Sequence, residues 1–171
     1  RKEFPVMEEL IFFDHARVAP LPERVRKVVT EFVDDATRFG TTHYDNWVIG
    51  VDHARKSFAK LINASDDEVA FVKNTSEGLS IVANGLDWRP GDNIIIPNNE
   101  FPANVYPWWN LKRIGVETRM ASAVEGRVLF EDLVKHVDAQ TRLISISSVG
   151  CNSGFRCDLN RIGAFCKEKG I

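Results

Sequence analysis

Val69 to Pro97 reads VAFVKNTSEGLSIVANGLDWRPGDNIIIP, and the changes of period inside it decide the fold. Val69 to Val72 is a short β-branched and aromatic run, the pattern of a strand. Leu79 to Leu86 then spaces its apolar residues as a helix does. Pro90-Gly91 makes a turn, and Asn93 to Ile96 is a second strand closed by Pro97. Strand, helix, strand at this cadence predicts a parallel sheet with helices on its faces.

The alternation continues outward in both directions. Downstream, Pro102 to Lys112 reads as helix, Val116 to Met120 as strand, Phe130 to Val137 as helix and Leu143 to Val149 as strand. Asp158 to Lys169 closes the chain as a helix with Leu159, Ile162, Phe165 and Cys166 on one face. Upstream, Val25, Val28, Val29, Phe32, Val33, Ala36 and Phe39 form a helical stripe that stops at Gly40. A second helix runs from Trp47 to Ile62 and meets Asn63, a residue suited to a left-handed terminator. Pro5, Pro20 and Pro22 mark an irregular arm before them. The expected class is α/β: a three-layer, mainly parallel sheet with flanking helices, with an arm over 1–20 and one domain over 21–171. Four strands are few for such a sheet, and another is expected where Gly170-Ile171 ends the sequence. The chain therefore reads as the front part of a longer protein.

Composition excludes several partners. The 171 residues carry a net charge of −2 and 44% hydrophobic residues, an ordinary globular balance. Nucleic acid and an anionic membrane both ask for a basic face, so neither is expected. No apolar run approaches the ~20 residues that span a bilayer, and no basic segment followed by a cleavable apolar stretch opens the sequence. Cys151, Cys157 and Cys166 fit neither a CxxC nor a zinc spacing, and His15, His43, His53 and His136 lack ligand spacing. No metal site and a reducing, cytoplasmic setting are the expectations.

In open α/β sheets ligands sit beyond the carboxyl ends of the strands, and three loops occupy that position. Lys73-Asn74-Thr75-Ser76-Glu77-Gly78 runs from strand into helix. Hydroxyls at Thr75 and Ser76, the free amides of a first turn and the positive end of the helix dipole make an anion site. The competing reading has Ser76 as the helix cap. Asn98 to Asn104 is the second loop; it sets Phe101 where a ring can lie on an aromatic ligand, with Tyr106, Trp108 and Trp109 following as core or interface. Gly150 to Arg156 is the third, and its two glycines suit either a close backbone approach or a plain turn.

The three loops, in this order and at these separations, resemble the class V aminotransferase family of pyridoxal-phosphate (PLP) enzymes, which have the fold-type I architecture and include the cysteine desulfurases. The resemblance spans Phe13-Asp14-His15-Ala16, Asn74 to Gly78, Pro90-Gly91-Asp92, Glu100 to Asn104, Ser147-Ser148-Val149 and Gly154 to Leu159. It implies a partial large domain that binds PLP, with Thr75 and Ser76 on the phosphate and Phe101 stacked on the pyridine ring. At the place of an Asn beside the cofactor's phenolic oxygen this sequence has Cys151. A His is usual at Phe101 in the desulfurases, and phenylalanine stacks without moving protons, which points to the aminotransferase or epimerase-like branch. The resemblance also implies that the Schiff-base lysine lies on strands beyond this chain, so the expectation is no catalytic residue here and an inactive chain on its own. An amino acid is the implied substrate, and a homodimer, with Tyr106, Trp108 and Trp109 at the contact, the implied assembly. In the resembling fold the neighbour of the first strand comes later in sequence, so Val69 to Val72 is expected to lack its partner. The alternatives are a desulfurase or lyase of the same superfamily and a non-catalytic phosphate-binding α/β domain.

Overall fold

Proline sets where the first helices begin, in a computed structural model that describes residues 2–15 and 18–171. Ala16, part of the resemblance above, lies outside the described residues. Pro5 stands at the N-cap of a one-turn helix, α1 (Val6–Glu9), so the arm is less irregular than its prolines suggest. The preset φ of proline, −55° here, favours that turn. Pro22 precedes α2 (Glu23–Phe39), which stops at Gly40 with φ +58°. The next helix, α3 (Tyr44–Ile62), is closed by Asn63 in the left-handed conformation, φ +57° and ψ 45°, as its side chain predicts.

The described chain falls into two compact units, Arg1–Phe71 and Val72–Ile171. In the first, α3 leads to a 3-10 turn over Asp66–Glu68. Val69 follows in extended conformation, φ −110° and ψ 118°, and its carbonyl accepts from the Arg55 guanidinium. Val69 to Val72 forms no strand: the sheet has three strands, not four, and none is made from these residues. A strand is a paired state, and propensity without a neighbouring edge does not make one.

The second unit holds the sheet. After α4 (Thr75–Gly85) come β1 (Asn93–Pro97), a 3-10 turn (Pro102–Asn104), α5 (Tyr106–Trp109), a 3-10 helix (Asn110–Ile114), β2 (Glu117–Ala121), α6 (Phe130–Val134), β3 (Thr141–Ile144) and α7 (Leu159–Lys169). β1 is central and pairs in parallel with β2 on one side and β3 on the other. Its run Asn-Ile-Ile-Ile-Pro is buried throughout, as a strand covered on both faces must be. Ile94 and Ile96 pack with Ala83, Val105, Trp108, Leu111 and Val116 on one face. Ile95 points the other way, against Leu133 and Ile162 of α6 and α7. Period-two alternation thus builds the three layers from three consecutive isoleucines.

The continuous helix expected over Pro102 to Lys112 is broken into three pieces. Pro107 has no N–H to donate back along such a helix, and Val105 sits outside helical space at φ −121°, ψ −58°. Trp108 is not an exposed contact residue; it is 1% exposed and part of the core, leaving Tyr106 and Trp109 paired edge-to-face on the surface. β3 is shorter than expected, though Ser145 N still donates to Ile95 O at 2.9 Å.

At the amino end of the strands a polar cluster replaces apolar packing. Asn93 Nδ2 donates to Asp138 Oδ1 at 2.8 Å, Thr141 Oγ1 donates to Asn93 Oδ1, and Arg119 reaches Asp138 Oδ2 at 2.6 Å. The Arg119 bond, followed by that from Asn93, holds the Asp138 carboxyl down at about 2. A depressed carboxylate adds stability above its ordinary range and loses it as pH falls through the folded value. Thermal melting should therefore fall as pH drops from about 4 toward about 2, and Asp138→Asn should flatten that stretch of the melting-temperature profile. Ile95→Ala, at a fully buried position, should lower the unfolding free energy in urea by about 2–5 kcal/mol.

Candidate functional site

Asn74 determines what the first loop can do. It lies extended, and its Oδ1 accepts from Glu77 N at 2.9 Å while its carbonyl accepts from Gly78 N. Glu77 Oε2 in turn accepts from Lys73 N at 2.8 Å. The cap of α4 is therefore Asn74, and the reading of Ser76 as the cap does not hold. The helix begins at Thr75, four residues before its apolar spacing starts, because the cap sits that far upstream. Thr75 and Ser76 consequently occupy the first turn, exposed, and their amides and hydroxyls have no acceptor or donor among the described residues. Two amides, two hydroxyls and the dipole's positive end thus share one helix terminus, a donor set of the kind that suits an anion.

Phe101 follows β1 at the carboxyl end of the sheet. It is 56% exposed and makes no ring contact among the described residues. Pro102 starts the next turn, which fixes the direction in which the chain leaves. A cleft of about 380 Å³ lies between the two segments, lined by Ser76, Ser80 and Asn84 of α4 and by Phe101, Tyr106 and Pro107. The structure thus brings Ser76 and Phe101 to one cleft, with Thr75 beside Ser76 at its helix terminus.

Cys151 is not among the residues lining that cleft. It sits exposed in a turn after β3, where Gly150 N donates to Phe155 O at 2.9 Å and Gly154 N to Gly150 O at 2.8 Å. A Cβ on Gly150 would come within 2.9 Å of Ser153 Oγ, so this glycine serves closure of its own turn. Among the described residues no group of three or more His, Cys, Asp or Glu side chains is placed to hold a metal. His43 Nδ1 lies 2.6 Å from Asp35 Oδ1 in the first unit, and Trp47 Nε1 donates to the other oxygen at 3.1 Å.

Two polar contacts escaped the reading of the sequence. Asn104, almost buried, accepts through Oδ1 from Trp108 Nε1 at 3.0 Å and from Ser145 Oγ at 2.5 Å. Glu100 accepts from Ser147 N through Oε1 at 2.5 Å and from Ser147 Oγ through Oε2 at 2.7 Å. The Glu100 charge also adds to burial in pushing the Cys157 thiol up. The sequence marked both residues as part of the stretch Glu100 to Asn104 that carries the resemblance, without indicating what they bond to.

The Aminotransferase class-V family model matches residues 11–171. A protein described as a probable cysteine desulfurase of Methanothermobacter thermautotrophicus is 33% identical over 175 residues, which cover 99% of this chain and 44% of the relative. An uncharacterized aminotransferase of Schizosaccharomyces pombe is 29% identical, with 98% of this chain and 43% of the relative covered. The apo cysteine desulfurase of Thermococcus onnurineus NA1 superposes with a TM-score of 0.82 at 25% identity, over 99% of this chain and 44% of that one. A C-DES mutant solved with glycine covalently linked to its PLP cofactor shares the fold at 23% identity, with a TM-score of 0.87 over 97% and 45%. The chain spans less than half the length of these proteins.

The division of labour at the α4 terminus is directly testable. Asn74→Ala should cost about 1 kcal/mol of stability, as loss of a helix cap does, whereas Ser76→Ala should leave the urea midpoint unchanged.

Proposed function

The chain belongs to the class V aminotransferase family, and from that premise we propose that it supplies the phosphate cup and the ring wall of a PLP-dependent enzyme acting on an amino acid. The observation that carries the reading is the free first turn of α4 facing the same cleft as an uncommitted phenyl ring. Thr75 and Ser76 hold the phosphate through their amides and hydroxyls, and Phe101 lies on the pyridine face. Cys151, in the exposed turn after β3 and off the cleft lining, would stand beside the phenolic oxygen on the resemblance alone. When bound, PLP supplies an electron sink for the bonds at the amino acid's α-carbon. This chain's part is to bind, orient and shield: the α4 dipole anchors one end and the phenyl ring fixes the plane of the other.

Relatives named cysteine desulfurase and aminotransferase both support the amino-acid substrate. Between them, Phe101 favours transamination or epimerisation, because a phenyl ring has no proton to give or take. On the resemblance, the lysine that would bind PLP covalently is none of this chain's, and on this reading the chain alone binds the cofactor without turnover.

Titrating PLP into the chain should give weak binding that borohydride does not trap at one lysine. Thr75→Ala with Ser76→Ala should weaken it about ten- to a hundredfold, the range for lost hydrogen bonds to a charged group, and inorganic phosphate should compete. Phe101→Ala should weaken PLP and leave phosphate binding unchanged. Binding indifferent to residues 75 and 76 would remove the reading.

A further inference from the structure

The parallel ladder between β1 and β3 ends in an exchange of partners. Ser145 N donates to Ile95 O, and by the spacing of a parallel ladder the next rung would run from Ser147 N to Pro97 O. Instead Ser147 N donates to Glu100 Oε1, and the Ser147 hydroxyl donates to Oε2. One carboxylate thus takes both donors of one residue across 47 positions of sequence. Two residues earlier on the same strand extension, Ser145 Oγ donates to Asn104 Oδ1, the far end of the same turn. The turn 100–104 is stapled at both ends to the segment leaving β3, and Phe101 is the residue next to the charged staple. Phe101 itself is more than half exposed and has no aromatic partner among the described residues, and its amide donates to Glu100 Oε2 at 3.3 Å.

We infer that Glu100 is a positioning residue, whose carboxylate holds the loop after β3 and the Phe101 backbone in register so that the phenyl ring meets the cofactor plane at a fixed angle. The inference rests on the PLP reading above and adds to it the residue that aims the wall. A carboxylate suits the task because it is acceptor-only and has two oxygens for two donors. A carboxamide keeps an acceptor for the Ser147 amide and can donate its NH2 to the rotated Ser147 hydroxyl, so Glu100→Gln keeps the contacts, reverses one of them and removes the charge from both. Charge-assisted bonds are also the stronger kind, which matters in a half-buried turn open to water.

The test compares the full chain with Glu100→Gln, Ser147→Ala and Phe101→Ala. Three readouts are taken: amide hydrogen exchange over 98–106 and 145–150 without cofactor, induced circular dichroism of added PLP, and affinity for inorganic phosphate. Glu100→Gln should speed exchange in both segments, shrink the induced signal and weaken PLP about tenfold, the loss of charge assistance at these two bonds. It should leave phosphate affinity unchanged. Ser147→Ala should do the same to a smaller degree, since the Ser147 amide bond remains, and it carries the comparison if Glu100→Gln does not fold. Glu100→Gln added to Phe101→Ala should have no further effect on the induced signal, because both act through one ring. Phosphate binding lost together with the induced signal would mean a merely structural role and overturn the inference. Unchanged exchange and signal in Glu100→Gln, with PLP bound normally by the parent chain, would overturn it alone. A parent chain giving no induced signal would overturn it together with the function reading.

Discussion

Parallel pairing of β1 to both of its neighbours is the constraint on which the second unit depends. Each parallel connection must cross over the sheet, so a helical segment has to lie on a face between every pair of strands. The order β2-β1-β3 satisfies this with α5 and its 3-10 flanks between β1 and β2, and with α6 between β2 and β3. Three consecutive isoleucines then serve two cores at once. The same directionality delivers the exits of β1 and β3 to one end of the sheet. Glu100 and Ser147 meet there for that reason, although they lie far apart in sequence.

Polar side chains do at the sheet's two ends what apolar ones do in its middle. At the amino end Asn93, Thr141, Asp138 and Arg119 satisfy one another. At the carboxyl end Glu100 and Asn104 take the donors of Ser147 and Ser145. Buried or half-buried donors left unmatched would cost about 1–3 kcal/mol each, so both clusters hold loops that hydrophobic contact alone would not place. The difference is in what each end leaves over. The four-residue cluster at the amino end bonds within itself, whereas the carboxyl end leaves Thr75, Ser76 and Phe101 uncommitted.

Legibility in the sequence followed the range of the interaction. Gly40 and Asn63 end their helices where local backbone chemistry says they must. The NIIIP run is a buried strand because five consecutive residues carry the signal. The break at Pro107 is equally local, since a proline inside a helix removes a donor, although the stretch from Pro102 to Lys112 reads as one helix. Thr75, Ser76 and Phe101 stood out because they follow strands. Glu100 with Ser147, and Asn104 with Ser145, did not, because each pair is joined only by the register of β1 against β3. Val69 to Val72 failed for the complementary reason: its residues favour a strand, yet a strand needs an edge to pair with. The stripe on α2 shows the same limit. Val28 and Phe32 repeat at helical spacing and the helix forms, yet they remain 63% and 49% exposed. Periodicity reports that a face is built to be covered and is silent about what covers it.

The choice of cap has the widest chemical consequence. A serine or threonine at the N-cap spends its hydroxyl on the backbone, and in that arrangement the first turn of α4 would offer amides alone. Asn74 accepts from Glu77 N and releases both hydroxyls that follow it. Glu77, turned back onto Lys73 N, keeps its own charge engaged with the chain before the cap. Its carboxylate also lies 3.8 Å from Lys73 Nζ, an exposed pair that adds little stability. What the pair offsets is the negative charge next to a turn suited to an anion. One Asn and one Glu thereby convert an ordinary helix start into a donor set with no internal acceptor, on the same cleft as the exposed phenyl ring.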